Sequence, residues 1–398
     1  MRNLYFLLIG VLINNIAIAQ CNGRYQTEIF SNVNVSTVNY SDVYTNLEHR
    51  MDIYTPDGDT VTNRPVVFYI HGGSFYAGDK SMTDCIDFCN AFAKRGYVSI
   101  AVNHRLGNII SFLISNEEQY RTVLKAVADA KAAIRFMRKD HANANTYGID
   151  PSTIFIGGYS SGGVLAIHLA FIDVISDLPT SPINVQALVS VIGGTLEGDA
   201  GNNGYSSEVQ GVISFAGGIN NLNWIDANDE PIVSVQGTED LTVNYNCGPG
   251  LNNPAVLNLC GAGQIHPKAD TVGIINDKLI FVGEGHGWGI GNINSKFLQA
   301  ISFTSDFLYP LLPCNQTTDM IEDAINPLTI FPNPSHGSFI LNTTKQVRID
   351  IFNPLGQEIY SQNITSPEGI SFKWGTKGLY IVKAKTLKNT FVSKILIQ

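Results

Sequence analysis

Positive charge is scarce in this chain. Lys and Arg number 25 in 398 residues against 34 Asp and Glu, a net charge of −9, and no dense basic patch offsets it. That excludes the electrostatic footprint of a nucleic-acid-binding protein. Cys-x-x-Cys and His-x-x-x-His spacings are absent, so nothing points to a zinc site. Beyond the N-terminus no apolar run is long enough to cross a bilayer. What remains is a globular composition, 44% hydrophobic and 15% charged, with length for one large domain and a small one.

The N-terminus reads as an export signal. Met1-Arg2-Asn3 is a short positive region, Leu4 to Ile13 is apolar, and Ala17-Ile18-Ala19 is an A-x-A cleavage site. Residues 1–19 are therefore expected to be removed, leaving Gln20 first. Acylation of Cys21 is the alternative, disfavoured by bulky Gln20. An exported chain makes its six cysteines disulfide candidates. Cys247 and Cys260 bracket a Gly/Pro/Asn-rich loop and are the expected pair. Cys21 and Cys314 bracket the large domain. Cys85 and Cys89 sit one turn apart on an expected helix, a poor geometry for a mutual bridge. Each is expected to pair elsewhere, or one to stay free.

Strand-like runs recur at Val35–Tyr40, His49–Tyr54, Pro65–Ile70, Tyr97–Asn103, Thr153–Gly157, Val212–Ala216, Pro231–Gln236 and Lys278–Val282. From Pro65 onward most are near-continuous Val/Ile/Phe, the pattern of strands buried on both faces. Helical patterns at Asp84–Arg95, Glu118–His141 and Asn294–Leu311 lie between or after them. The fold class is therefore α/β, a mostly parallel twisted sheet flanked by helices. The first two strands lack an intervening helix and are expected to form an antiparallel edge hairpin. Residues 173–210 and 241–277 are irregular excursions, placed where α/β proteins put substrate-facing loops. After Cys314 comes a polar linker, 315–326. Residues 327–398 then alternate short strands with turns, as in a small all-β sandwich. This segment carries a net charge of +5, leaving −14 for the rest. The domain division is thus 1–19, 20–314, 315–326 and 327–398.

Chemistry concentrates at strand ends. Gly158-Tyr159-Ser160-Ser161-Gly162 lies between a strand and a helix. A G-x-S-x-G there puts Ser160 on a sharp turn at the sheet edge, where it can attack a carbonyl. Such a serine needs a base, an acid to orient the base, and donors for the oxyanion. The donors are sought in the backbone of Gly72, Gly73 and Ser74, after strand Pro65–Ile70, and in the N–H of Ser161. His71 is expected to hold that loop. Strand Pro231–Gln236 ends at Thr238-Glu239-Asp240, making Asp240 the acid, with Glu239 as the alternative. His286, flanked by glycines after strand Lys278–Val282, is the base. His168 is expected to be packed, His104 to shape the site, and His266 to reach the cleft from the second excursion.

These positions resemble those of secreted carboxylesterase-type α/β-hydrolases, in which the triad runs Ser, acid, His along the chain. The matching segments between Arg24 and Leu312 are His71-Gly72-Gly73-Ser74-Phe75, Val102-Asn103-His104-Arg105-Leu106-Gly107, Ala133-Ile134-Arg135-Phe136, Tyr147-Gly148-Ile149-Asp150-Pro151 and the Ser160 turn. The chain departs from that family at His104, usually Tyr, and at Ser161, usually Ala. The resemblance implies ester hydrolysis through an acyl-enzyme, without metal or cofactor. A prolyl-oligopeptidase-like peptidase, a polymer-directed esterase and a non-catalytic binding module are the rival readings. Residues 327–398 resemble the C-terminal sorting domain of the type IX secretion system, through Ile330-Phe331-Pro332-Asn333-Pro334, Ile349-Asp350-Ile351-Phe352-Asn353-Pro354-Leu355-Gly356, Gly378-Leu379-Tyr380-Ile381-Val382 and Lys394-Ile395-Leu396-Ile397. That implies the type IX machinery as a partner and a secreted or cell-surface location. A carbohydrate-binding sandwich is the alternative for this segment.

Overall fold

A computed structural model describes Cys21, residues 23–289 and 294–314, and residues 328–398 except 337, 344–346, 354–356, 365–369, 374–376 and 386–389. The expected export signal and the linker lie outside the described residues. The chain separates into two compact units, residues 1–316 and 317–398.

The first unit is built on one eight-stranded sheet. Its strands are β1 (Val33–Asn39), β2 (Arg50–Pro56), β3 (Arg64–Ile70), β4 (Val98–Val102), β5 (Ile149–Tyr159), β6 (Val212–Phe215), β7 (Ile232–Gly237) and, after a short hairpin of β8 (Cys247–Pro249) and β9 (Asn258–Cys260), β10 (Asn276–Phe281). The spatial order is β1-β2-β4-β3-β5-β6-β7-β10. β1 pairs antiparallel with β2 at the edge, as the missing helix between them predicts, and β2 pairs antiparallel with β4. The pairs from β4 to β10 are parallel. Every residue of β3 is buried. That explains its unbroken apolar run, because a sheet covered on both faces has no solvent side to alternate with.

The helices are α1 (Thr83–Lys94), α2 (Ile109–Ile114), α3 (Asn116–Asn143), α4 (Ser161–Phe171), α5 (Val185–Leu188), α6 (Ala262–Val272) and α7 (Ser295–Leu308). α3 starts where Ser115 accepts from the Glu118 N–H, with Glu117 and Glu118 in its first turn. α4 is buried on all sides, so it needs no polar face. α7 ends earlier than its sequence pattern, because Pro310 turns the chain into a 3₁₀ turn over Tyr309–Leu311. The excursion 173–210 is tied down by cations of α3 and the preceding loop. Arg135 donates to Gly201 and Glu197, Arg138 to Ser206 and Glu208, and Arg105 to Asp199 and Asp129.

Cys247 bonds Cys260, and Cys21 bonds Cys314. Cys21 is therefore a bridge half-cystine, which leaves no thiol for acylation. Cys85 and Cys89 are both free and buried. This corrects the expectation that at least one is bridged. Both point into the core beside Tyr69 and Phe88, and the other four cysteines are spoken for. The segment after Cys21 crosses α1 and α7. Tyr25 and Ile29 donate to Arg95 and Lys94, and Ser305 Oγ donates to the Tyr25 carbonyl.

The second unit holds two small antiparallel sheets. One is β11 (Leu328–Phe331), β12 (Ser338–Thr343) and β15 (Ile370–Lys373). The other orders β14 (Glu358–Ile364), β13 (Val347–Phe352), β16 (Gly378–Lys385) and β17 (Thr390–Ile397). β11 and β15 add to the strands legible in the sequence. Ile349, Ile351, Tyr380, Val382, Ile395 and Ile397 are the buried apolar side chains among its described residues. Among the described residues of the whole chain, no helix is long and apolar enough to cross a membrane.

Candidate active site

The carboxyl ends of β3, β5, β7 and β10 each open into a loop bearing one part of the site. Ligand crevices of open α/β sheets lie at that edge. Ser160 follows β5 and precedes α4, with φ 56° and ψ −121°. A non-glycine residue holds such angles only where its surroundings impose them. Here the imposing feature is close packing on both sides. A Cβ at Gly158 would lie 2.5 Å from both the Gly162 carbonyl carbon and the Ile70 carbonyl oxygen. Both glycines of the pentapeptide are thus required by the approach of β3.

Ser160 Oγ is 2.8 Å from His286 Nε2, and His286 Nδ1 is 2.8 Å from Asp240 Oδ2. Asp240 is 2% exposed and Ser160 7%, while His286 is half-buried. The other carboxylate oxygen, Oδ1, accepts from the amides of Thr242 and Val243 at 2.9 and 3.0 Å. Both carboxylate oxygens of Asp240 are thus engaged, one by backbone amides and one by the imidazole. Glu239, the alternative acid, is exposed, and the His286 Nδ1 contact goes to Asp240.

The backbone amides expected to face an oxyanion lie on and beside the His71 loop. His71 Nδ1 lies 2.6 Å from the Gly72 carbonyl, so it is the protonated nitrogen. One peptide points its C=O and N–H in opposite directions, so this bond turns the Gly73 N–H away from His71. Gly73 holds φ +112° and Ser74 φ +58°. Among the described residues the amides of Gly73, Ser74 and Ser161 have no acceptor. Gly72, Gly73, Ser74, Ser160, Thr242 and His286 line a cleft of about 430 Å³. His71 stacks on His104 at 4.6 Å. Burial lowers the pKa of both and brings that of His104 to about 3, so this pair is neutral at pH 7 and adds no charge behind the loop.

Two supporting residues escaped the sequence reading. The Tyr159 hydroxyl donates to the His286 carbonyl, clamping the segment that carries the imidazole. Its ring meets Trp288, which packs against Phe281 and Phe215. Gln236 braces the acid turn, donating to the Val243 carbonyl at 2.7 Å and accepting from the Ala262 N–H at 2.8 Å. A polar residue ending the otherwise buried run of β7 was the available signal for Gln236. His266 is placed differently from expectation. It is buried on α6 with Nδ1 on Asn276 Oδ1, because a helix rather than a loop occupies that stretch. Among the described residues no group of three or more His, Cys, Asp or Glu could hold a metal ion.

A serine, imidazole and buried carboxylate in one hydrogen-bonded row, beside unpaired amides, can carry acyl transfer. Comparison with known proteins bears on which kind. Residues 51–253 match the BD-FAE family model, just over half of the chain. The chain belongs to the BD-FAE family. It has the α/β-hydrolase fold, and its residues 329–398 match the secretion system C-terminal sorting domain. Carboxylesterase 3B of Mus musculus is 31% identical over 144 residues, 36% of this chain and 24% of that protein. Para-nitrobenzyl esterase of Bacillus subtilis is 31% identical over 115 residues, 29% of this chain and 22% of that one. The chain thus spans about a quarter of the length of these curated relatives. A truncated carbohydrate esterase from gut microbiota shares the fold, with TM-score 0.52 and 21% identity over 70% of this chain and 96% of its own.

Proposed function

We propose that the protein is an exported serine hydrolase of carboxylic esters, with Ser160, His286 and Asp240 as its triad. The observation that carries this reading is the unbroken row Asp240–His286–Ser160, with 2.8 Å at both contacts. His286 Nε2 takes the Ser160 proton as Oγ attacks the ester carbonyl carbon. Asp240 holds the Nδ1–H and offsets the imidazolium that forms. The amides of Gly73, Ser74 and Ser161 receive the oxyanion. His286 then protonates the leaving alkoxide, and the alcohol departs. A water, deprotonated by the same imidazole, attacks the acyl-Ser160 carbonyl carbon, and His286 returns that proton to Oγ as the acyl–Oγ bond breaks and the acid leaves.

Residues 20–314 form the catalytic domain in this reading, 315–326 a linker, and 327–398 the sorting domain. Export begins with the signal at 1–19 and ends outside the outer membrane through the type IX machinery. The sorting-domain match supports that route.

Ser160→Ala tests the catalytic assignment. Turnover of p-nitrophenyl butanoate should fall by about 10³-fold or more, and a fluorophosphonate probe should label the wild type at Ser160 and leave the variant unlabelled. A folded variant that keeps its turnover would refute the assignment.

A further inference from the structure

Two apolar cavities lie side by side behind Ser160. The outer one, about 50 Å³, is walled in part by Ser160, Ser161, Ser74 and Leu251. The inner one, about 70 Å³, is walled in part by Val123, Leu124, Leu178, Val185 and Trp224. Phe75, Phe112, Val164, Val256 and Leu259 belong to both walls. One layer of side chains therefore separates a space beside the nucleophile from a deeper space closed by both excursions.

The polar side chains of the inner wall are engaged with the protein. Gln119 donates to the Phe112 and Ala255 carbonyls and accepts from the Leu257 N–H. The Tyr120 hydroxyl bonds Asn220 Oδ1, and Trp224 Nε1 donates to the Asp177 carbonyl. His168 Nδ1 lies 2.7 Å from the Val164 carbonyl, so it carries the proton. Burial lowers the His168 pKa to about 4, and the imidazole is uncharged at neutral pH. No charge lines the chamber, which favours an apolar occupant over a carboxylate-bearing one.

We propose that the two cavities form one acyl tunnel, with the inner chamber as its end, and that the protein prefers esters of apolar acyl groups of about four to six carbons over acetyl esters. This rests on the serine-esterase reading. The two spaces together offer about 120 Å³. A dry apolar cavity of about 150 Å³ takes a six-carbon ring, and scaling from it gives about five carbons. Each methylene moved from water into such walls should raise kcat/KM about fourfold until the inner chamber is full.

A series of p-nitrophenyl esters from acetyl to decanoyl tests the tunnel. Wild type should peak between butanoyl and hexanoyl, with butanoyl at least tenfold above acetyl. Val185→Phe fills the inner chamber and should lower the hexanoyl-to-acetyl ratio of kcat/KM at least tenfold. Leu178→Ala enlarges it and should move the peak toward octanoyl, which decides the matter if the Phe variant does not fold. A profile that both variants leave in place would overturn the tunnel alone. Absence of turnover with every ester would overturn the esterase reading and the tunnel with it.

Discussion

Asp240→Asn separates the role of this carboxylate from its volume. Asp240 Oδ1 accepts two backbone N–H groups, from Thr242 and Val243. An asparagine keeps them only by placing its carbonyl oxygen there. Its NH₂ then faces His286 Nδ1 at the position where Oδ2 sat, 2.8 Å away, with the Gln236 amide 3.5 Å beyond. An NH₂ donates and does not accept, so Nδ1 must become the acceptor and the proton moves to Nε2. That nitrogen then points its N–H at Ser160 Oγ and accepts no proton from it. The opposite amide orientation rescues the tautomer but leaves two buried amides facing an NH₂, a penalty of about 1–3 kcal/mol each. The catalytically incompetent tautomer is therefore preferred, and kcat should fall about 10⁴-fold, about 5.5 kcal/mol of barrier. Steady-state hydrolysis of p-nitrophenyl butanoate, with a thermal melt to establish folding, measures it. A folded variant within tenfold of wild-type kcat would refute the tautomer argument.

Asp229 offers a pH test remote from the site. Burial and the carboxylates of Asp173, Asp226 and Asp177 push its pKa up to about 7 against one backbone N–H that holds it down, and Oδ1 has no partner. The folded chain retains this proton where the unfolded chain has released it, so the group costs stability progressively from about pH 4 to 7. Asp229→Asn should raise Tm at pH 8 and leave it unchanged at pH 4, and an equal gain at both values would refute the reasoning. For the export reading, deletion of residues 328–398 should leave a folded esterase inside the outer membrane. Finding that truncated chain in the medium at wild-type levels would remove the sorting role.

Most parts of the site that could be read from sequence share one property. Ser160, Asp240 and the His71 loop each follow a strand whose last residues are all buried, and such strands announce their ends by an abrupt change to Gly, Thr or Asp; β10, before His286, is mostly half-buried and is marked instead by the glycines that follow it. α6 was hidden because Gly263 and Pro267 interrupt it, within a stretch rich in Gly, Asn and Pro. Its interior proline is tolerated in a helix whose one face packs beneath β10 and β7. Strand β15 is only four residues long, too short for alternation to register. The tunnel was beyond any local pattern, because α3, the 178–185 stretch, Trp224 and the 256–259 stretch each supply only a few of its walls. The two free thiols follow from the same non-locality. Spacing excluded a mutual bridge between Cys85 and Cys89, while only the packed structure uses up the other four cysteines with each other.

The Cys21–Cys314 bond decides how load enters the first unit. A protein anchored through its C-terminus while its substrate is held elsewhere is pulled along the chain beyond residue 314. Without a crosslink, that tension would peel α7 from its C-terminal end, residue by residue, toward the loop bearing His286. With it, the tension divides at Cys314, and part passes to the strap after Cys21, which is fastened to Arg95, Lys94 and Ser305. Peeling then requires shearing several bonds on two helices at once instead of unzipping one helix end. The bond acts as a strain relief, keeping tension on the tail out of the geometry at Ser160.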